Sequence, residues 1–321
     1  MNFAGTPAWV QVRPSGRCTM QPAVDSVRGY PARRGSTVGT PTESNPDRPD
    51  IRIVDIEKPS VARAYDWYLG GSCNTAVDRA FAERAAQLIP AQTMALDNRN
   101  FLRRVVTYLI DHGVRQFMDI GSGIPTVGNV HEVAAALADD VRVVYVDNDP
   151  VAVAQSRLLI GDDPKTTVIN ADIRDPAAIL DHSDVRALLD FDQPIGLLMI
   201  AVWHFVTDQD RPSELVATYH DALSAGSYVG LSHLSEEHAT PDLRERIREC
   251  VGTYTTSASP LVPRDHAVLA GWLPGLDLIA PGIVPVNGWH PDLPGPDGPE
   301  NRLIIGGLAR KNVRRSARER P

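Results

Sequence analysis

Residues 117–128, FMDIGSGIPTVG, set an acid between an apolar run and a pair of glycines. Phe117, Met118 and Ile120 read as a buried strand, and Gly121 and Gly123 as the tight turn at its exit. Packing accounts for the apolar residues and leaves Asp119 without a purpose. A carboxylate in that position points to a ligand at the strand's end.

The same pattern continues downstream. Strand RQFMDI (115–120) precedes a helix over 128–138, strand VRVVYVD (141–147), a helix over 150–160, strand TTVINAD (166–172) and a short helical segment over 176–189. PIGLLMIAV (194–202) is the next buried strand. A helix with Pro212 near its start and Gly226 past its end then leads to SYVGLSHL (227–234). Strands alternating with helices predict an α/β fold: a doubly wound, mostly parallel sheet with right-handed crossovers and helices on both faces. Past helices over 241–251 and near 264–273, LDLIAPGIVPV (276–286) and NRLIIGGLAR (301–310) follow one another with no helix between them. They predict an antiparallel pair.

Upstream, Val77, Ala80, Phe81, Ala85 and Leu88 recur at helical spacing until Pro90. Phe101, Leu102, Val105, Val106, Leu109 and Ile110 form the face of a second helix that ends at Gly113. Two helices are therefore expected before the first strand. Residues 1–50, rich in Pro, Gly, Ser, Thr and Arg without a sustained period, read as a disordered extension. The expected organisation is this extension, a helical cap over 51–113, a ligand-binding domain over 114–310 and a basic, disordered tail over 311–321.

The 321 residues are 43% hydrophobic, enough for a sizeable core. The longest nearly uninterrupted apolar stretch, Ile195 to Val206, falls short of the roughly 20 residues of a membrane span, and no compact leader is evident. A cytoplasmic location is the expectation. Cys18, Cys73 and Cys250 are widely separated, without a CxxC, and read as reduced structural thiols. Of the net charge of −8, residues 1–50 carry +2 and residues 310–321 carry +5, which leaves −15 on the body between them. Such an acidic body disfavours a nucleic-acid footprint, and the basic tail reads as a solvated end.

In a doubly wound sheet, ligands sit at the carboxyl ends of the strands where strand order reverses. Asp147 ends the second strand 24 residues beyond Gly123, where a nucleoside-binding sheet places an acid to accept ribose hydroxyls. Asp172 closes the third strand at the same edge. A dinucleotide fingerprint wants a third glycine or alanine where Thr126 stands, and Asp119 would repel a pyrophosphate. S-adenosylmethionine has no phosphate and brings an α-ammonium and a sulfonium, both suited to carboxylates. A nicotinamide-dependent oxidoreductase and a non-catalytic S-adenosylmethionine sensor remain the alternatives.

The D-x-G-x-G turn with acids after strands two and three resembles class I S-adenosylmethionine-dependent methyltransferases. SVARAYDWYLGG (60–71), NRNFLRRVVTYL (98–109), QFMDIGSGIPTVGNVHEVA (116–134), VVYVDNDPVAVAQSR (143–157), ADIRDP (171–176), AVWHFVTD (201–208) and AGSYVGLSH (225–233) are similar to an actinobacterial family of such enzymes, over about residues 57–310. The resemblance implies a seven-stranded Rossmann-like sheet with the last strand antiparallel. It places Asp119, Gly121, Ser122 and Gly123 at the methionine end, Asp147 and Asn148 at the ribose, Asp172 and Ile173 at the adenine, and Ala201, Val202 and His204 beside the methyl group. It supplies no acceptor.

Tyr65, Tyr68 and Gly70, in YDWYLGG, read either as a lid over the cofactor, with a ring near the sulfonium, or as anchors of the N-terminal helices. His204 is the candidate general base, and its alternative is a packed, hydrogen-bonded residue. Asp147, Asn148 and Asp149 are adjacent, point in different directions and lack a complementary His/Glu cluster, so no metal site is expected. No NPPY-type motif or Cys-Pro nucleophile is present, which disfavours amino-adenine and cytosine-carbon methylation. A small-molecule acceptor is the expectation.

Overall fold

The structure, a computed structural model, describes residues 58–125, 128–255, 257, 259–293 and 295–312. The extension expected over 1–50, Thr126, and the tail beyond Asn312 lie outside the described residues.

Three helices precede the sheet where two were expected: α1 (Val61–Tyr68), α2 (Ala76–Leu88) and α3 (Ala91–Asp111). The unexpected one, α1, spans two turns, too few for an apolar period to register. Its ends are nonetheless written in the sequence: the Ser60 side chain accepts from Arg63 N–H, and Gly70 follows the last turn at φ 77°. Thr75 and Asp78 form a reciprocal capping box at the start of α2.

The strands are β1 (Gln116–Ile120), β2 (Arg142–Asp147), β3 (Thr166–Asn170), β4 (Ile195–Ile200), β5 (Tyr228–Leu234), β6 (Leu276–Leu278), β7 (Val284–Pro285) and β8 (Ile304–Lys311). They lie in the order β3-β2-β1-β4-β5-β8-β6, with β7 also on β8. Strands β1 to β5 pair in parallel, and β8 runs antiparallel to β5. β6 and β7 occupy successive stretches of one edge of β8, Leu276 opposite Lys311 and Val284 opposite Gly306. Together they fill the seventh position of the expected sheet as one interrupted strand. The interruption passes close over Gly307, where a Cβ would lie 3.0 Å from Gly282 O. Lys311, assigned to the tail by its charge, completes β8: Lys311 N–H donates to Ser227 O at 2.8 Å.

Helices α4 (Val130–Ala135), α5 (Pro150–Ile160), α6 (Pro176–Leu180), α7 (Ser183–Leu188), α8 (Pro212–Asp221), α9 (Pro241–Tyr254) and α10 (His266–Gly271) complete the fold. The single helical segment expected over 176–189 is two short helices, α6 and α7.

Strand residues alternate between two apolar layers. Phe117, Val143, Tyr145 and Leu198 join the layer that contains the apolar faces of α2 and α3. Met118, Val144, Val146 and Leu197 join the opposite one, with Ile179, Val185 and Val216. By this period of two, Asp119 and Asp147 project into the first layer, beneath the N-terminal helices. The chain steps outward from β1 to β3 and then returns to place β4 on the other side of β1, so strand order reverses at the exit of β1.

Candidate cofactor site

The turn after β1 is clamped between the ends of β2 and β4. Gly121 N–H and Ser122 N–H both donate to Val146 O, at 2.8 and 3.1 Å, and Gly123 N–H donates to Asp147 Oδ2 at 2.8 Å. Gly121 has φ 75°, and a Cβ there would stand 2.4 Å from a methyl carbon of Val202. Only glycine satisfies both conditions.

Asp147 is 7% exposed, and its Oδ1 accepts from Asp149 N–H at 2.8 Å. Burial pushes its pKa up to about 6 against the pull of its N–H partners. Asp119, 5% exposed, is pushed up to about 7 by burial, with the Arg99 charge opposing and the Asp147 charge adding. Two costly, neighbouring carboxylates with pKa values near neutrality form a site that a cationic ligand would relieve. Two buried polar atoms, Ser122 Oγ in the turn and Arg99 Nε on α3, have no hydrogen-bond partner among the described residues. Carboxylates, a glycine cradle and unpaired hydrogen-bonding groups fit the amino-acid and ribose portions of S-adenosylmethionine.

The three strand-end acids do not share one environment. Asp172 is half-buried and pairs with Arg174 at 2.5 Å, which holds its carboxyl below the usual range. Asn148 is exposed, and Ile173 is buried in the second layer, its carbonyl accepting from Tyr219 OH at 2.8 Å. Asp149 turns away to cap α5, accepting from Val151 N–H at 2.8 Å.

At the exit of β4, Ala201 takes φ 55°, a left-handed conformation rare outside glycine. A buried polar chain holds it there. Ala201 N–H donates to Ser232 Oγ at 3.0 Å, Ser232 Oγ donates to Asn98 Oδ1 at 2.5 Å, and Asn98 Nδ2 donates to Tyr65 OH at 3.1 Å. Tyr65 OH in turn donates to Ala95 O at 3.2 Å. This chain joins α1, α3, β4 and β5. The Arg99 and Asp119 charges both act on the Tyr65 hydroxyl, which brings Tyr65 within electrostatic range of the strand-end acid. Tyr68 is buried instead against α2, its hydroxyl donating to Ala82 O at 3.4 Å, and Gly70 is an exposed helix terminus.

His204 lies on a single 3₁₀ turn after β4, 6% exposed. Its Nδ1 accepts from Leu234 N–H at 3.2 Å, and burial, with His233 and Arg264 adding, holds its pKa well below the usual histidine range. In that tautomer the proton is on Nε2. The loop carrying it is clasped by Arg264, which donates to Trp203 O at 3.1 Å, Val206 O at 2.8 Å and Asp208 Oδ1 at 2.6 Å.

Several residues that build the site carry no local signal in the sequence. Arg63, 2% exposed, bridges Asp78 at 2.7 Å and Asp149 at 3.6 Å, and Ser60 Oγ also donates to Asp149. This cluster bolts α1 and α2 to the exit of β2, next to Asp147. Asn98, Arg99 and Arg264 were likewise not singled out. Only the cap position of Asp149 before Pro150 was readable.

A reversed strand order at β1, a glycine turn and buried acids at the ends of β1 and β2 form the arrangement expected of a methyltransferase that uses S-adenosylmethionine. The chain belongs to the S-adenosyl methyltransferase family, whose model matches residues 47–312. It is similar to a candidate methyltransferase from Thermobifida fusca, at 36% identity and a TM-score of 0.75, over 81% of this chain and 97% of that one. It is also similar to a DUF574 family protein from Streptomyces avermitilis, at 37% identity and a TM-score of 0.76, over 80% of this chain and 99% of that one. No curated protein matches the chain. The chain is thus an S-adenosylmethionine-dependent methyltransferase, and the nicotinamide alternative finds no support. No helix among the described residues is long and apolar enough to cross a membrane.

Proposed function

We propose that the enzyme transfers the methyl group by in-line displacement to a small-molecule acceptor. The observation that carries this reading is the pair of buried carboxylates, Asp119 and Asp147, on one face of adjacent strands against the Gly121–Gly123 turn. S-adenosylmethionine, when bound, supplies a methyl group activated by its sulfonium. Asp119 takes the α-ammonium beside Gly121, Ser122 and Gly123. Asp147 keeps lone pairs for the ribose hydroxyls beyond those given to Gly123 and Asp149 N–H. Asn148, Asp172 and Ile173 border the adenine. Ala201 and Val202, fixed by the Ser232–Asn98 chain and by contact with Gly121, border the methyl group. Tyr65 faces the cleft from α1, while Tyr68 and Gly70 shape the cap.

The rate arises from alignment of acceptor, methyl and sulfur, an effect worth up to about 7–11 kcal/mol in favourable cases. His204 does not remove a proton in this reading. Its Nδ1 is engaged with Leu234 N–H and its Nε2 carries the proton, so it holds the end of β5 against the loop after β4. The acidic body supports a small acceptor over a polynucleotide. Incubation with methyl-labelled S-adenosylmethionine and a metabolite extract tests the proposal. Labelled small molecule and equimolar S-adenosylhomocysteine are expected; tight binding without turnover would mark a sensor instead.

A further inference from the structure

The amino-acid end of S-adenosylmethionine carries two opposite charges, and Asp119 answers only the ammonium. Arg99 is placed to answer the carboxylate. It follows Asn98 on α3, and the Asn98 side chain is anchored to both Tyr65 and Ser232, so this part of the helix is fixed over the strand ends. The Arg99 stem lies 3.9 Å from where a Cβ on Gly128 would stand, against the segment that leaves the glycine turn. The Arg99 charge acts on Asp119, Tyr65 and Tyr145 alike, so the guanidinium is within electrostatic range of all three.

In that setting its hydrogen-bonding capacity is unspent. Among the described residues the Arg99 side chain makes no hydrogen bond or ion pair, and its Nε is buried without a partner. The two buried arginines, by contrast, are used up: Arg63 on Asp78 and Asp149, Arg264 on Asp208 and two carbonyls. Arg99 is within electrostatic reach of Asp119 and yet not bridged to it. Each charge therefore stays available to a ligand that carries both signs.

We propose that Arg99 binds the α-carboxylate of the methyl donor while Asp119 binds its α-ammonium, so that the pair selects donors that retain the carboxylate. A guanidinium suits this task because it offers two parallel N–H groups to the two carboxylate oxygens. The inference rests on the cleft being the methyl-donor site, and it adds a specificity determinant on α3.

Calorimetric titration of wild type, Arg99→Gln, Arg99→Met and Arg99→Lys with S-adenosylmethionine and with decarboxylated S-adenosylmethionine tests it, because the second ligand keeps everything but the carboxylate. Wild type is expected to prefer the carboxylated ligand by roughly tenfold to a hundredfold, the worth of a charge-assisted contact. Arg99→Gln and Arg99→Met should bind both ligands alike, near the wild-type affinity for the decarboxylated one, and Arg99→Lys should keep part of the preference. Since each protein is compared with itself, a general loosening of the fold weakens both ligands and leaves the ratio standing. A ratio undiminished in the two neutral variants, or no preference in wild type, overturns the role of Arg99 and leaves the site intact. Failure of wild type to bind either ligand overturns the site itself.

Discussion

Gly123 N–H donates to Asp147 Oδ2 at 2.8 Å, across 24 residues of sequence. The acid that the spacing assigns to a ribose is also the group that closes the glycine turn. Its other oxygen accepts from Asp149 N–H, and Asp149 is the residue to which Ser60 and Arg63 attach the cap. One carboxylate thus links the turn, the proposed ribose position and, through Asp149, the cap.

Replacing Asp147 by Ala should remove all three links. Hydrogen bonds to a charged group are worth about 1.5–3 kcal/mol each, so affinity for S-adenosylhomocysteine should fall roughly a hundredfold or more by calorimetry. Asp147→Asn retains one acceptor oxygen and should lose less.

Asp119 gives the binding a pH dependence. Its carboxyl, raised from 3.8 to about 7 by burial, must be ionised to meet the ammonium. Affinity for S-adenosylhomocysteine should rise with pH up to about 7 and level off above it, with proton release on binding at pH 6. The groups acting on this carboxyl are Arg99 from α3 and Asp147 from β2. For the unliganded fold the sign is opposite. A carboxyl whose folded pKa lies above its unfolded one costs stability as pH rises from about 4 towards 7. The Tm of Asp119→Asn should therefore exceed that of wild type at pH 8 by more than at pH 4, and its affinity should not vary with pH in this way.

Gly121→Ala and Gly70→Ala compare two positive-φ glycines. At Gly121 (φ 75°) a Cβ meets Val202 at 2.4 Å, and at Gly70 (φ 77°) it meets nothing within 4 Å. Gly70→Ala should cost only the backbone strain, about 1–2 kcal/mol. Gly121→Ala should add about 1–3 kcal/mol of overpacking and abolish ligand binding, since the turn cannot stay seated on β2. Tm and calorimetry separate the two.

Arg63→Ala should unseat the cap. It leaves Asp78 buried without its cation, a loss of about 3–5 kcal/mol, read as a fall in denaturant midpoint. Because Asp149 is also a partner of Arg63, affinity for S-adenosylhomocysteine should fall with it.

His204 should be neutral at the ordinary histidine midpoint of about 6.5, with the proton on Nε2, in side-chain NMR. A titration midpoint near 6.5 would contradict its buried, positioning role.

The sheet was legible because buried parallel strands are long apolar runs punctuated by glycine, proline and capping acids. Local pattern carries little in three places. Two-turn α1 was too short to show a period, and the interrupted β6/β7 edge read as one run. Lys311 was assigned by charge to a tail although it lies in β8. In the site, strand-end position and residue type singled out Asp119 and Asp147. Asp172 differs from them by its half-exposure and by its pair with Arg174 two residues on, which strand-end position and residue type do not register. Arg63, Asn98 and Arg264 act through contacts distant in sequence, with nothing beside them to announce it.

The most direct measurement is a crystal structure of the protein with S-adenosylhomocysteine. The account predicts the amino-acid end beside Gly121 and Asp119 and the ribose on Asp147, with Ala201 and Val202 walling the position of the missing methyl. A ligand bound elsewhere, or a structure in which Asp119 and Asp147 stay covered by protein side chains at saturating ligand, would contradict it.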